Sequence, residues 1–121
     1  MKVAVTAVEA SLDSEVDPRF GRCKYIILVD LTTMEFEAVD NSAGMGAGGA
    51  GIATGQLVAS KGAQAVLTGN CGPNAYQVLL SAGVQVFTGV TGKVRDAVQS
   101  FKSGQYKASA QPNVAPHAGQ S

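Results

Sequence analysis

The sequence has no tryptophan, one histidine and two cysteines in 121 residues, and aromatic side chains make up only 6% of it. Each scarcity removes a class of chemistry. The lone His117 stands in a C-terminal stretch of Gln, Ser, Ala and Pro, so a Ser-His-Asp or Cys-His unit would depend on that stretch folding back. Cys23 and Cys71 make no C-x-x-C pair, which argues against a structural zinc site. The carboxylates Asp13, Asp17, Asp30 and Asp40 are scattered, without the spacing of a paired acid and base or of a two-metal centre. Nine Lys plus Arg balance nine Asp plus Glu, so no basic field is available to gather a nucleic acid. No apolar run approaches the ~20 residues of a membrane span, and the first residues, Met1-Lys2-Val3-Ala4-Val5, read as a strand rather than a signal peptide. The expectation is a cytoplasmic protein with no membrane association and with reduced thiols.

Glycine, by contrast, is abundant, with 15 residues. Eight positions, Gly44-Met45-Gly46-Ala47-Gly48-Gly49-Ala50-Gly51, form a loop almost without side chains. Around it the hydrophobic periodicity predicts an α/β order. Lys2 to Thr6 and the apolar run Tyr25 to Leu31 read as strands, the second deeply buried. Thr32-Thr33 makes a turn, and Met34 to Val39 alternates as a half-exposed antiparallel partner. A small-faced helix follows the glycine loop and ends at Lys61-Gly62. Ala63 to Thr68 is a strand, Pro73 opens a helix that runs to about Ala82 before Gly83, Val84 to Thr88 is a strand, and Lys93 to Phe101 is an amphipathic helix. Strand-helix-strand units of this length favour a parallel half-sheet with right-handed crossovers, to which the early hairpin adds an antiparallel strand. The prediction is one three-layer α/β/α domain over residues 1–103, with a five-stranded mixed sheet, about three helices and a mobile tail over 104–121.

Three loops lie where strands hand over to the next element, the edge at which open α/β sheets bind ligands. In Asp17 to Cys23, Arg19 and Arg22 flank Phe20-Gly21; their guanidinium forks suit anionic oxygens or sulfides, or else pair with loop carboxylates such as Asp13 or Asp17. The Asn41 to Gly51 loop offers unobstructed backbone N–H groups ahead of a helix N-terminus, which attract anions, yet it lacks the Gly-Lys-Ser/Thr ending of a P-loop. The turn Gly69-Asn70-Cys71-Gly72-Pro73-Asn74 puts Cys71 at a helix start, where a thiol pKa falls and a thiolate could meet a metal; the alternative is an inert buried thiol, the stronger reading for Cys23.

The string Ser14-Glu15-Val16-Asp17-Pro18-Arg19-Phe20-Gly21-Arg22 before a Tyr25-led strand, the Asn41…Gly48-Gly49-Ala50-Gly51 loop, and Gly69-Asn70-Cys71-Gly72-Pro73-Asn74-Ala75 occur in the order and spacing of a known group. They resemble the nitrogenase iron-molybdenum cofactor accessory family, the NifX-like group that includes the C-terminal part of the cofactor-assembly protein NifB. The resemblance covers roughly residues 1 to 103. It implies a ribonuclease H-like three-layer fold, and a non-enzymatic protein that binds, stores or transfers an anionic metal-sulfur cluster containing molybdenum with copper or iron. Small stand-alone members are implied to hold such a cluster without an obvious cage of protein ligands. The residues carried over as its surroundings are Arg19, Phe20, Gly21, Arg22, Asn41, Met45, Gly48, Gly49, Ala50, Gly51, Gly69, Asn70, Gly72, Pro73 and Asn74, with Cys71 a possible metal ligand. Some relatives place a histidine at the cluster loop where this sequence has Met45-Gly46-Ala47. Implied partners are cluster donor and acceptor proteins; the sequence does not set an oligomeric state. A rival reading is an enzyme or sensor that binds a nucleotide or another phosphorylated molecule in the same crevice.

Overall fold

The computed structural model describes residues 1–41 and 50–108. Its strands are β1 (Lys2–Ala7), β2 (Tyr25–Asp30), β3 (Phe36–Asp40), β4 (Ala65–Leu67) and β5 (Gln85–Phe87), and its helices are α1 (Ala50–Ser60), α2 (Pro73–Ser81) and α3 (Val94–Lys102). The element order is the one the periodicity predicts. The sheet order is β3-β2-β1-β4-β5. Only β2 runs against its neighbours: it pairs antiparallel with both β1 and β3, while β1, β4 and β5 are parallel. Four of the five strands therefore point the same way, and the carboxyl ends of β1, β3 and β4 share one edge.

Alternation along the strands divides the core between the two faces of the sheet. Val3, Val5, Ile27, Val29 and Leu67 pack on one face beneath α3, through Val94, Ala97 and Val98. Ala4, Ile26, Leu28, Val66 and Val86 pack on the other beneath Val58 of α1 and Ala75, Tyr76 and Leu79 of α2. The result is the expected three-layer arrangement. Neither α1 nor α2 contains a charged residue, so these helices meet through small side chains. A Cβ at Gly55 would stand 3.0 Å from Val78 Cγ1, and one at Gly51 would stand 3.2 Å from Ala75 Cβ.

The hairpin departs from expectation at one point. Strand β3 begins at Phe36, not at Met34, because Met34 adopts a left-handed φ of 63° and cannot continue an extended strand. The turn is held by Asp30, whose carboxylate accepts the N–H of Thr32 at 2.8 Å and whose carbonyl accepts that of Met34 at 2.7 Å. At the other end of the chain, Tyr106 is half-buried against the α3 layer. The remainder of the expected tail, from residue 109, lies outside the described residues.

Candidate functional site

The shared carboxyl edge brings the connections after β1 and β4 together with the end of β3 and the start of α1. The first leaves β1 and is stitched back onto it: Asp17 N–H donates to the Thr6 carbonyl at 2.8 Å, and Thr6 Oγ1 donates to the Asp17 carbonyl at 2.6 Å. Beyond Asp17, this loop pairs with the turn after β4. Asn70 N–H donates to the Pro18 carbonyl at 2.8 Å, Asn70 Nδ2 to the same oxygen at 3.0 Å, and Phe20 N–H to the Asn70 carbonyl at 3.1 Å. The pairing requires a close approach, and Gly69 permits it, since a Cβ there would lie 2.6 Å from Pro18 Cα. The first connection also meets Asn41, after β3, and Thr54 of α1 at Gly21, whose carbonyl lies 3.3 Å from both Asn41 Nδ2 and Thr54 Oγ1.

These loops enclose a cleft of about 420 Å³, lined among the described residues by Arg19, Phe20, Gly21, Arg22, Gly51, Asn70, Gly72, Pro73, Asn74 and Ala75. Nine of these ten were expected from the sequence; Ala75, which stands in the same motif, was not counted as a site residue. The two guanidiniums form its rim. Arg19 is paired with the buried Asp17 carboxylate at 3.3 Å, so the plain alternative for this arginine, a bond to a loop carboxylate, is realised. Arg22 is exposed and has no hydrogen-bond or ion-pair partner among the described residues.

The floor is the start of α2. Gly72 is its N-cap with no side-chain hydrogen bond, Pro73 takes the first helical position, and the first turn carries no acid. The N–H groups of Asn74 and Ala75 belong to the set that a helix leaves without internal acceptors, so they are donors at the positive end of a dipole, on residues that line the cleft. The backbone N–H of Tyr76 is the first to be taken by the helix, donating to the Gly72 carbonyl at 3.0 Å.

Three expected residues lie beneath the cleft. Asn41 is buried, and its amide binds protein groups: Nδ2 donates to the Cys23 carbonyl at 2.9 Å, and Oδ1 accepts from Thr54 Oγ1 at 3.0 Å. Gly69 is buried against Pro18. Cys71 is fully buried within the α2 core, and the expected depression of its pKa is reversed: burial raises it from 9.0 to about 11. The helix-start argument fails because the side chain points under the turn and away from solvent, where desolvation of a thiolate outweighs the dipole. Cys23 is equally buried, with its pKa raised to about 12 by burial first and by the Asp17 charge second. The two cysteines are not joined in a disulfide. Among the described residues no group of three or more His, Cys, Asp or Glu could hold a metal ion. Met45, Gly48 and Gly49 lie outside the described residues, and Ala50 is described only as the first residue of α1.

Fold and site together define a three-layer α/β domain with a loop-built, arginine-rimmed cleft at the carboxyl edge of its sheet. Residues 1–104 match the family described as dinitrogenase iron-molybdenum cofactor, and the chain belongs to that family. It is similar to the orange protein of Desulfovibrio gigas, solved in its apo form, at 46% identity with a TM-score of 0.90, covering 93% of this chain and 95% of that one. It is also similar to a candidate NifB protein from Thermotoga, at 34% identity with a TM-score of 0.77, covering 88% and 91% of the two chains. An uncharacterised protein of Methanocaldococcus jannaschii is 28% identical over 109 residues, or 87% of this chain and 92% of that one. Among the described residues no helix is long and apolar enough to cross a membrane.

Proposed function

We propose that this protein binds an anionic metal-sulfur cluster, containing molybdenum with copper or with iron, as cargo, and carries it between a donor and an acceptor protein without catalysing a turnover reaction. The observation that carries the reading is the uncapped first turn of α2 opening into a cleft rimmed by two arginines. Sulfide and oxide faces of such a cluster accept hydrogen bonds from guanidinium and backbone N–H donors, and these bonds strengthen with the charge on the acceptor. The described lining offers no thiol, imidazole or carboxylate, so its chemistry fits a guest held by charge and N–H donors rather than by protein-metal bonds. A Cβ at Gly72 would meet nothing within 4 Å, so space is open there, and Phe20 and Pro73 add apolar groups to the lining. Membership of the iron-molybdenum cofactor family and the likeness to the orange protein support a cofactor-related role. Reduced thiols suit a cytoplasmic setting.

The open α2 terminus also favours a second reading, a phosphorylated small molecule bound by an enzyme or sensor. Against it, the described lining includes no lysine and no serine or threonine hydroxyl. Two measurements separate the readings. Protein isolated from its own source should contain molybdenum with copper or iron, and purified protein should take up tetrathiomolybdate with copper to give one coloured complex. Metal-free isolates that also fail to take up the cluster, together with clear thermal stabilisation by nucleotides, would transfer the assignment to the phosphate reading.

A further inference from the structure

The expectation that Asn41 touches the guest directly is replaced by a different role. Its side chain joins a buried hydrogen-bond set that includes a residue the sequence did not single out, Thr54 of α1. Asn41 is 4% exposed and Thr54 0%. Asn41 Nδ2 has two protons and two carbonyl acceptors, Cys23 at 2.9 Å and Gly21 at 3.3 Å. Its Oδ1 accepts from Thr54 Oγ1 at 3.0 Å, and the Asn41 backbone N–H donates to the Lys24 carbonyl at 2.9 Å. Every side-chain polar atom of the pair is used, and no buried side-chain polar atom among the described residues lacks a partner.

What this set connects is informative. Asn41 follows the last residue of β3, Gly21 precedes the exposed Arg22, and Thr54 lies one helical turn after the cleft residue Gly51, on the same face of α1. Gly21 has a φ of 68°, a left-handed conformation that lets its carbonyl turn inward to Asn41 and Thr54 while the next residue projects outward. A buried apolar pair could fill this space equally well but would favour no single arrangement of the three segments. A satisfied polar network favours one.

We propose that Asn41 and Thr54 are positioning residues of the cleft. Their hydrogen-bonded pair holds the Gly21 carbonyl against α1 and thereby sets where the Arg22 guanidinium stands relative to Gly51 and the α2 terminus. The proposal rests on the anion-binding reading above, and its test is built to fail separately from it.

The probe is tetrathiomolybdate with a copper(I) salt, titrated by visible absorbance into wild type, Thr54→Val and Thr54→Ser at a temperature where circular dichroism shows each fully folded. Valine keeps the shape and removes the hydroxyl, while serine keeps the hydroxyl. Losing the hydroxyl that fixes the Asn41 amide, and through it the Gly21 carbonyl, is expected to weaken uptake roughly tenfold in Thr54→Val and to leave Thr54→Ser within about twofold of wild type. A merely structural role would lower the melting temperature of Thr54→Val without changing uptake by the folded protein, and that result overturns the proposal. If Thr54→Val does not fold, Thr54→Ala against Thr54→Ser makes the same comparison. A readout without the guest is the carbon-13 shift of the Gly21 carbonyl with the amide shift of Arg22, expected to move in Thr54→Val and not in Thr54→Ser. A wild type that takes up no probe sinks the cluster reading, and these shifts then decide the clamp by themselves: unchanged shifts in Thr54→Val overturn it.

Discussion

Asp17 Oδ1 accepts both the backbone N–H of Arg19, at 2.9 Å, and the Arg19 Nε–H, at 3.3 Å, from a side chain that is only 2% exposed. A buried carboxylate thus holds the first rim arginine in place and offsets its charge. Arg22, three residues on, has no such counter-charge among the described residues. The two arginines are alike in sequence and unlike in electrostatics.

Removing Arg22 should therefore cost more binding than removing Arg19. Arg22→Ala is expected to weaken uptake of tetrathiomolybdate with copper about tenfold, and Arg19→Ala only about threefold, because Asp17 already occupies the Arg19 Nε–H and leaves that guanidinium fewer donors for the guest. Asp17→Asn should act in the opposite direction. Its oxygen can still accept the Arg19 N–H while the guanidinium charge is released to the guest, so binding tightens even as the fold loses about 1 kcal/mol. All three differences should shrink at high salt, since the arginines are exposed and the screening length is only about 10 Å at 0.1 M. Titrations of the three variants at low and high salt provide the check, and a weaker Asp17→Asn complex would remove charge from the account of binding.

Gly69→Ala tests whether the first two loops must touch for the cleft to exist. The new methyl would lie 2.6 Å from Pro18 Cα and 3.0 Å from the Pro18 carbonyl oxygen. Both are backbone atoms, so relief requires moving the Pro18–Asn70 pairing rather than swinging a side chain. Overpacking of this kind costs on the order of 1–3 kcal/mol. The melting temperature should fall, and uptake by the folded fraction should weaken, because Arg19 and Phe20 follow Pro18 directly. Gly72→Ala is the control for stability alone: nothing lies within 4 Å of its added Cβ, so a larger fall in melting temperature there than at Gly69 would count against this geometry.

The parts of the fold that were legible in the sequence are those that depend on local pattern. Alternation in β1, the apolar run of β2, Pro73 at the start of α2 and Gly83 after its end each reflect a short-range rule, and the structure follows them. The cleft was legible because strand ends in a mostly parallel sheet collect loops on one edge, and nine of its described lining residues come from loops identified that way. Side-chain direction was not legible. Asn41 and Cys71 stand in the expected loops but turn their side chains to the core, and Gly69 is buried against Pro18, which depends on pairing between segments 18 to 52 residues apart. Thr54 carried no signal in the sequence of that helix, and the close crossing with α2 at Gly51 and Gly55, four apart on the same helix, was not read from it either. Met34 was misread because alternation cannot report a left-handed φ in a residue other than glycine.

The two thiols give the final prediction, in which chemistry and stability separate by pH. Burial raises Cys71 to about 11 and Cys23 to about 12, against 9.0 for an exposed thiol. At pH 8 both are protonated, so the native protein should react slowly with a disulfide reagent, and Cys71→Ala should leave cluster uptake unchanged. Below pH 9 the thiols are protonated in the folded and the unfolded chain alike, and their contribution to stability is fully present. As pH rises above 9 the unfolded chain releases protons that the folded chain keeps, so stability falls until the folded-state values are passed. By pH 11 the loss amounts to roughly 2 kcal/mol for each thiol. Urea denaturation of wild type and Cys23→Ala at intervals from pH 8 to 11 measures it: the variant starts less stable but should lose less on the way up. Parallel curves for the two proteins would show that the Cys23 thiol does not titrate as its burial requires, and fast labelling at pH 8 would show the same for whichever cysteine is modified.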